Sequence, residues 1–376
     1  MKSHMFLKFH GVRGSYSVPG PNTTAFGGNT TCVSIYKWVA RIGKYVRVII
    51  DAGTGATKAG DEILANYFAG KENLTTCILF THLHPDHTEG FTFFAPNFLS
   101  QTTLHLMGME TLNKNVGRVL AGKMTPPTYP IEYDELKSRR HHYVLRDGQV
   151  FWIDETGSPV MPKKGADTPE NAIFKVQVMK ANAPAHPQQG ALYYRITDVE
   201  TGYSIACIWD CESSFGGDSR VIEFAKSSHI LIHDSQYTSE EYPKVQNFGH
   251  STHEMAVENA TKAAVYNLFC THFNPKHSDL TLLKLATEWF KKSMLLIHRI
   301  YFAMEDVEID VDLLVSESSM FKRWYEVQMN CIQTKLCEKK IRERAETRIG
   351  ENLYDLIGIY SESLDELGDK SPPKRP

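Results

Sequence analysis

The chain has 376 residues, of which 42% are hydrophobic and 23% are charged, and its formal net charge is −3. This length accommodates one large core or two moderate ones. The slightly acidic balance argues against a globally nucleic-acid-binding surface but leaves room for a local basic patch. The sequence has no run of about 18 apolar residues, so we expect no membrane-spanning helix.

The start of the chain and its cysteines indicate a cytoplasmic protein. Residues Met1 to His10 lack the long apolar run of a signal peptide, so export by a standard signal is not expected. The seven cysteines contain no CxxC pair, and some lie inside apolar runs, as Cys77 does. Reduced, mostly buried thiols fit this pattern better than a disulfide framework.

Short apolar runs separated by turn residues dominate the chain up to about residue 310. The first, Tyr45–Ile50, is rich in β-branched residues and stops at Asp51-Ala52-Gly53-Thr54-Gly55, which predicts a buried strand entering a glycine-rich turn. Further strands are predicted at Leu74–Phe80, Thr103–Met107, Ile173–Lys180, Ala191–Thr197, Tyr203–Ile208, Ile230–His233, Val265–Cys270 and Ile300–Met304.

Two helices are well marked in this part of the chain. The segment Ser251-Thr252-His253-Glu254 has the form of a capping box with Ser251 as the N-cap, and it predicts a helix to about Ala264. Residues from Asp279 to about Lys292 have apolar positions at helical spacing. Many strands mixed with helices favour a layered α/β domain over a helical bundle.

Two regions depart from this pattern. Residues 108–148 are proline-containing and carry the basic run Arg139-Arg140-His141-His142, which predicts an inserted loop that forms a pocket wall or, alternatively, a solvated excursion. After residue 313, spacings of three and four predict a long amphipathic helix through Phe321, Trp324, Val327 and Cys331. We therefore expect one large domain at 1–313 and a helical extension at 314–376. Within the extension we expect a second short helix near Leu353–Tyr360 and a disordered tail at Ser371–Pro376.

The most informative segment is Thr81-His82-Leu83-His84-Pro85-Asp86-His87. His82 and His84 are two residues apart at a strand end, so their side chains point the same way. Pro85 then breaks the strand, and Asp86 and His87 follow in the loop. Four such ligands in six residues predict two adjacent cations rather than solubilising loop residues. Imidazole and carboxylate ligands without thiolate suit zinc, with manganese or iron as alternatives.

Four ligands do not complete two metal sites, and further candidates lie just past other apolar runs. These are His186, Asp210 and His272. Open α/β sheets place their ligand-binding residues at such strand ends. Each residue alone is more typical of a turn or core position, but together with the cluster they favour metal ligation.

The HxHxDH segment followed by a distant His, Asp and His resembles the metallo-β-lactamase superfamily. The segments Gly11-Val12-Arg13-Gly14-Ser15, Gly27-Gly28-Asn29-Thr30, Asp51–Gly55, Pro126–Pro130 and Gly249-His250-Ser251-Thr252 are similar to its phosphodiesterase branch, which includes cyclic-nucleotide phosphodiesterases and, more distantly, tRNA 3′-processing endonucleases. The resemblance covers residues 6 to about 310.

This resemblance implies a four-layer αββα sandwich with a dinuclear metal centre at one edge. It implies that one ion is held by His82, His84 and His186, that the other is held by Asp86, His87 and His272, and that Asp210 bridges the two. Asp51 would orient a ligand from outside the first coordination shell, or would serve only in its turn.

A proton donor for the leaving oxygen is expected at His250, which lies just before the capped start of a helix, a position that favours anions. Asp234, which follows a predicted strand, would orient it. With Asp86 these residues form the predicted catalytic set. The alternative for His250 is a ring that merely packs at the helix cap.

The sequence thus predicts a dinuclear metal-dependent phosphodiesterase acting on a small phosphodiester, most plausibly a cyclic nucleotide. A nuclease acting on RNA or DNA ranks second, because only residues 137–140 are conspicuously basic and a long nucleic acid needs many phosphate contacts. Lactone, thioester or β-lactam hydrolysis, and a non-enzymatic nucleotide sensor, are further alternatives. The extension would dimerise, close over the site or pack on its own domain.

Overall fold

The computed structural model describes residues 4–162, 167–181, 190–293 and 299–347. Its strands, in chain order, are β1 Met5–Gly11, β2 Cys32–Val39, β3 Lys44–Ile50, β4 Thr75–Leu79, β5 Thr103–Gly108, β6 Arg139–Val144, β7 Val150–Asp154, β8 Pro159–Val160, β9 Ala172–Lys180, β10 Leu192–Asp198, β11 Ser204–Ile208, β12 Ile230–Asp234, β13 Asn267–Thr271, β14 Arg299–Phe302 and β15 Glu308–Asp310.

The α-helices of this part of the chain are α1 Ala56–Phe68, α2 Val116–Lys123, α3 Ser219–Ala225, α4 His253–Lys262, α5 Asp279–Ser293, α6 Val311–Ser316 and α7 Ser318–Thr347. Short 3-10 helices occur at Pro85–His87, Glu89–Phe93, Ala95–Phe98, Tyr133–Glu135 and Tyr242–Lys244. Among the described residues, no helix is long and apolar enough to cross a membrane.

The strands form two mixed sheets. One has the order β15-β1-β2-β3-β4-β5-β6 and the other the order β14-β13-β12-β11-β10-β9-β7-β8. Strands β3 to β6 are parallel, as are β11 to β14. Because the carboxyl ends of parallel strands meet at one edge of a sheet, each sheet offers an edge where a ligand site can form.

Side-chain alternation divides the core into layers. In β3, Val48 and Ile50 enter the large core shared by both sheets, whereas Ile49 faces a second core with α1 and α2. In β4, Cys77 and Ile78 divide in the same way. This is the period-two alternation of a strand that is buried on both faces. Helices α3, α4 and α5 pack on the other sheet, which gives the αββα arrangement that the resemblance implied.

The predicted strands all exist, with ends that differ by one or two residues. The helix beginning after residue 251 differs in its cap. The side chain of Thr252, and not that of Ser251, accepts the hydrogen bond from the backbone N–H of Met255. The Ser251 hydroxyl is instead engaged with the backbone of Cys211 and Ser213, so it is not available as a cap.

The region 108–148 is more ordered than the predicted loop. It contains helix α2 and strand β6, and the basic run Arg139–His142 lies in β6, at the edge of its sheet. The long helix predicted after residue 313 is α7, whose Tyr325, Met329 and Ile332 enter the large core. Leu353–Tyr360 and Ser371–Pro376 lie outside the described residues. The boundary at residue 313 and a homodimeric role for the extension stay predictions.

Candidate metal centre

The first sheet supplies most of the predicted ligands from the end of β4. The chain passes from β4 through Thr81 to His82, and Pro85 opens the 3-10 helix that carries Asp86 and His87. The rings of His82 and His87 have centroids 4.2 Å apart, and the ring of His84 lies 4.3 Å from that of His82. The tight turn therefore gathers all four side chains at one point above the sheet.

The second sheet contributes Asp210 after β11 and His272 after β13. Both have a left-handed backbone, with φ of 46° and 61°, as does Asp51 after β3, with φ of 59°. Residues other than glycine rarely adopt this conformation, and such conformations cluster at functional sites. In each case the chain turns sharply just after a strand, and the first residues of the turn reach the shared edge.

The carboxylate of Asp210 lies between two groups of imidazoles. Its Oδ2 is 3.3 Å from His82 Nε2, whereas its Oδ1 is 3.0 Å from His87 Nε2 and 3.3 Å from His272 Nε2. Asp86 Oδ2 lies 3.3 Å from His87 Nε2 and 3.4 Å from His272 Nε2. Six of the seven predicted ligands therefore come together. The seventh, His186, lies outside the described residues.

Hydrogen bonds around the cluster fix the orientation of two imidazoles. His87 Nδ1 is 2.7 Å from Asp51 Oδ2, and His272 Nδ1 is 3.0 Å from Gln236 Oε1. The Asp51 carboxylate also accepts from the backbone N–H and the hydroxyl of Thr81, at 2.8 and 2.7 Å. Both rings thus turn Nε2 towards the centre, as metal-binding histidines do when an outer partner holds the other nitrogen.

The electrostatics of the cluster suit divalent cations. Burial opposes a charge on His87, but the carboxylates of Asp86, Asp210 and Asp51 outweigh it and raise the pKa of His87 well above its usual value. Burial lowers the pKa of His82 well below its usual value, which keeps this ring neutral and able to bind a metal. The carboxylates thus favour positive charge at His87, beside the neutral ring of His82, and a divalent cation would supply that charge in place of the proton. Carboxylate and imidazole groups of this kind form a donor set that fits zinc or a similar ion.

The predicted proton donor lies beside this cluster. His250 Nδ1 is 2.8 Å from Asp234 Oδ2, and the His250 ring stacks on His272 with centroids 5.0 Å apart. Both residues are buried. Asp234 is itself held by the backbone N–H groups of Cys211 and Gln236. The pair therefore joins the end of β12 to the start of α4, at the same edge as the ligands.

Three further residues at the site were not predicted. The backbone N–H of Ser15 donates to Asp86 Oδ2 at 2.7 Å, Gln236 holds His272, and Lys123 donates to the hydroxyl of Thr88. Ser15 ends the Gly11–Ser15 segment and Gln236 lies two residues after the strand end at Asp234, so position in the sequence could have found both. Lys123 lies in α2, in the region that was predicted as a loop.

One curated relative identifies the family, and a second is similar at lower identity. A ribonuclease Z of Thermoplasma acidophilum is 39% identical over 226 residues, which cover 55% of this chain and 71% of the relative. A ribonuclease Z of Picrophilus torridus is 26% identical over 263 residues, which cover 62% and 78%. The chain belongs to the ribonuclease Z family. No model of a protein family matches it.

Solved structures show the same fold. The metallo-β-lactamase fold protein YhfI from Bacillus subtilis has a TM-score of 0.52 at 15% identity and covers 81% of this chain and 99% of its own. Human tRNase Z, short form, has a TM-score of 0.51 at 18% identity with the same coverages. Yeast PDE1 has a TM-score of 0.52 at 14% identity and covers 80% of this chain and 98% of its own.

The fold and the family together make this chain a metal-dependent hydrolase of the phosphodiesterase branch. The recognition made from the HxHxDH segment is confirmed. The predicted ranking of substrates is not confirmed. The curated relatives are ribonucleases, and they favour the nuclease alternative that the sequence analysis ranked second.

Proposed function

We propose that this protein is a metal-dependent endonuclease that cleaves an RNA phosphodiester, most specifically at the 3′ end of a precursor tRNA. Membership of the ribonuclease Z family supports this substrate class. The single observation that carries the reaction is the Asp234–His250 pair, 2.8 Å apart and stacked against the ligand cluster through His272. A buried acid in contact with the ligands lies where a leaving oxygen must be protonated.

We assign the two divalent ions, most simply zinc with manganese or iron as alternatives, to seven ligands. One ion would be bound by His82, His84 and His186, the other by Asp86, His87 and His272, and Asp210 would bind both. The contacts of Asp210 support this division, since Oδ2 faces His82 whereas Oδ1 faces the other group. The Nδ1 partners of His87 and His272 hold these rings in the ligating orientation.

Two such cations supply a water-derived nucleophile at neutral pH and neutralise charge on the phosphoryl group. The protein's own residues then handle the leaving oxygen. Asp234 accepts from His250 Nδ1–H and stabilises the imidazolium form of that ring, in which Nε2 also carries a proton. Nε2 gives this proton to the oxygen as the phosphorus–oxygen bond breaks, and the ring is left neutral with its remaining proton on Nδ1. A positioned acid of this kind contributes about 10²–10⁴-fold to the rate.

A second candidate is hydrolysis of a small phosphodiester such as a cyclic nucleotide. The net charge of −3 favours it, because a long nucleic acid requires many cationic contacts. The same ligands and the same acid would serve both substrates, so only substrate comparison separates them.

The decisive test compares three substrates with the purified, zinc-loaded protein: an RNA stem with a single-stranded 3′ trailer, a cyclic nucleotide and bis(p-nitrophenyl) phosphate. We expect endonucleolytic cleavage of the RNA and about two metal ions per chain. Asp210→Asn should lose metal and every activity that the wild type shows, whereas Asp147→Asn, which changes an exposed carboxylate paired with Arg220, should retain them. Efficient hydrolysis of the cyclic nucleotide with intact RNA would overturn the nuclease proposal.

The role of the acid is tested separately with Asp234→Asn. We expect kcat to fall by about 10²–10⁴-fold for RNA, whose leaving alkoxide needs a proton. For bis(p-nitrophenyl) phosphate the fall should be much smaller, because p-nitrophenolate leaves readily without protonation. Equal losses on both substrates, with unchanged metal content, would rule out a proton-donor role for the pair.

A further inference from the structure

Lys123, the last residue of α2, reaches the turn that carries Asp86 and His87. Its ammonium group donates to the hydroxyl of Thr88, which in turn donates to the backbone carbonyl of His84 at 2.7 Å. An ammonium group has three N–H donors, and this contact uses one of them. The remaining donors are available at the rim of the ligand cluster.

The surroundings of Lys123 differ from those of other lysines with low exposure. Lys8 pairs with Glu62 at 2.6 Å and Lys37 with Asp198 at 2.7 Å. Lys123 is also partly buried, but among the described residues no carboxylate lies within ion-pair distance of it, and those of Glu89 and Asp86 act on its charge only from farther away. A partly desolvated cation without a bound carboxylate is unfavourable unless an anion meets it. The position therefore suits an anionic group of a ligand.

An exposed aromatic ring lies at the end of the 3-10 helix Glu89–Phe93, which directly follows Thr88. Phe93 is 64% exposed, and its ring meets the buried ring of Tyr129 edge-on, with centroids 5.7 Å apart. The Tyr129 hydroxyl donates to the backbone carbonyl of Thr92, so the Tyr129 ring that packs against Phe93 is itself held in place. Phe93 follows Thr88 by five residues, and Tyr129 follows Lys123 by six. The segments 88–93 and 123–129 therefore contact each other at both ends and carry Phe93 and Lys123.

A single exposed aromatic residue on a protein surface is ordinary. An exposed ring and a cation without an ion pair that meet the same stretch of chain, residues 88–93, supply the two groups that bind single-stranded nucleic acid, in which a basic group contacts the backbone and a base stacks on the ring. We propose that Lys123 and Phe93 form a subsite for an unpaired nucleotide next to the scissile phosphodiester, with Lys123 on a phosphate and Phe93 under a base. This inference rests on the proposed RNA substrate.

The test uses RNA with a single-stranded 3′ trailer and compares Lys123→Met with Lys44→Met. Lys44 is a matched control, because it donates to the uncharged Asn73 at 2.7 Å and lies at the start of β3, away from the cluster. Lys123→Met should raise KM more than it lowers kcat. It should also reduce the slope of log(kcat/KM) against log[salt] by about 0.7, the value for one phosphate contact on a single strand. Lys123→Arg should restore the slope.

The proposed stacking of a base on Phe93 is tested by comparing Phe93→Leu with Phe68→Leu. Phe68 is a similarly exposed phenylalanine at the end of α1. Loss of one stacked base should raise KM by roughly 5- to 160-fold, whereas Phe93→Trp should keep KM near the wild-type value. The control should match the wild type.

The outcomes separate the two proposals. RNA cleavage with wild-type KM and salt slope in the Lys123 and Phe93 variants would overturn the subsite and leave the nuclease intact. A wild-type protein that hydrolyses bis(p-nitrophenyl) phosphate but no RNA would overturn both. Because Phe93 is exposed, its variants should fold even if Lys123→Met does not.

Discussion

Asp51→Asn is the sharpest test of how the metal centre is held. The Asp51 carboxylate accepts three hydrogen bonds, from the Thr81 backbone N–H at 2.8 Å, the Thr81 hydroxyl at 2.7 Å and His87 Nδ1 at 2.7 Å. An asparagine amide replaces one acceptor oxygen by an NH₂ donor. In either orientation the new donor faces another donor, so at least one of the three bonds is lost in a buried site.

The expected loss of metal affinity depends on which hydrogen bond of Asp51 is broken. Losing an outer partner of a metal-binding histidine typically costs about 10–100-fold in metal affinity or activity, which corresponds to about 1.4–2.7 kcal/mol. If the amide oxygen takes the place of Oδ2, the bond to His87 survives and the loss falls at the lower end. If the NH₂ group faces His87 instead, the ring turns and the loss falls at the upper end.

The backbone itself should not contribute to this effect. Asp51 has φ of 59°, and asparagine tolerates this left-handed conformation as well as aspartate does. Asp306→Asn is the matched control, since Asp306 has φ of 63° but carries an exposed carboxylate that pairs with Lys58. Any backbone effect of the substitution should appear in both variants.

The assay is competition for zinc with a calibrated chelator, with phosphodiester turnover followed as a function of free zinc. We expect Asp51→Asn to need about 10–100 times more free zinc for half-maximal activity, and Asp306→Asn to match the wild type. If Asp51→Asn binds zinc and turns over substrate as the wild type does, the assignment of Asp51 as the residue that orients His87 is wrong.

Three further results are expected. Burial and the nearby His277 lower the pKa of His253 to about 3, so this ring stays neutral in the fold while the unfolded chain takes up a proton. The free energy of unfolding therefore falls as pH drops below about 6.5. Measured by urea unfolding, the decrease between pH 7.5 and pH 5.5 should be about 1.4 kcal/mol smaller in His253→Phe than in the wild type. An identical decrease in both proteins would refute this. Tyr325→Phe leaves the backbone N–H of Phe302 without its 2.8 Å acceptor and should lower the unfolding free energy by about 1–3 kcal/mol, whereas unchanged stability would mean that the extension is only loosely attached. Of the seven free thiols only Cys331 is exposed, so a thiol reagent should label one group rapidly in the native protein and none in Cys331→Ser.

Much of this protein was readable from local sequence. The spacing of His82, His84, Asp86 and His87 specifies the predicted ligand cluster, because an extended segment just after β4, followed by a 3-10 turn that begins at Pro85, brings four side chains together. The runs before Asp51, Asp210 and His272 specify strands, since a strand buried on both faces must be apolar along its length. The strand ends therefore marked most of the site before any contact was known.

Other features depended on the whole fold. Ser251 has the sequence of an N-cap, yet the backbone of Cys211 and Ser213 takes its hydroxyl and Thr252 caps α4 instead. Local pattern cannot reveal this, because the competing partners lie about 40 residues away in the chain.

Lys123 shows most clearly what sequence alone could not reveal. In sequence it is one lysine among many in an irregular, proline-containing region. It lies next to the candidate metal centre only because α2 packs beside β5 and brings its last residue to Thr88. Sequence determined which chemical groups the site contains, since ligand type and spacing are local properties. Which of them touch was decided by the packing of two sheets and their helices, because hydrogen bonds between distant segments depend on where the tertiary fold places both partners.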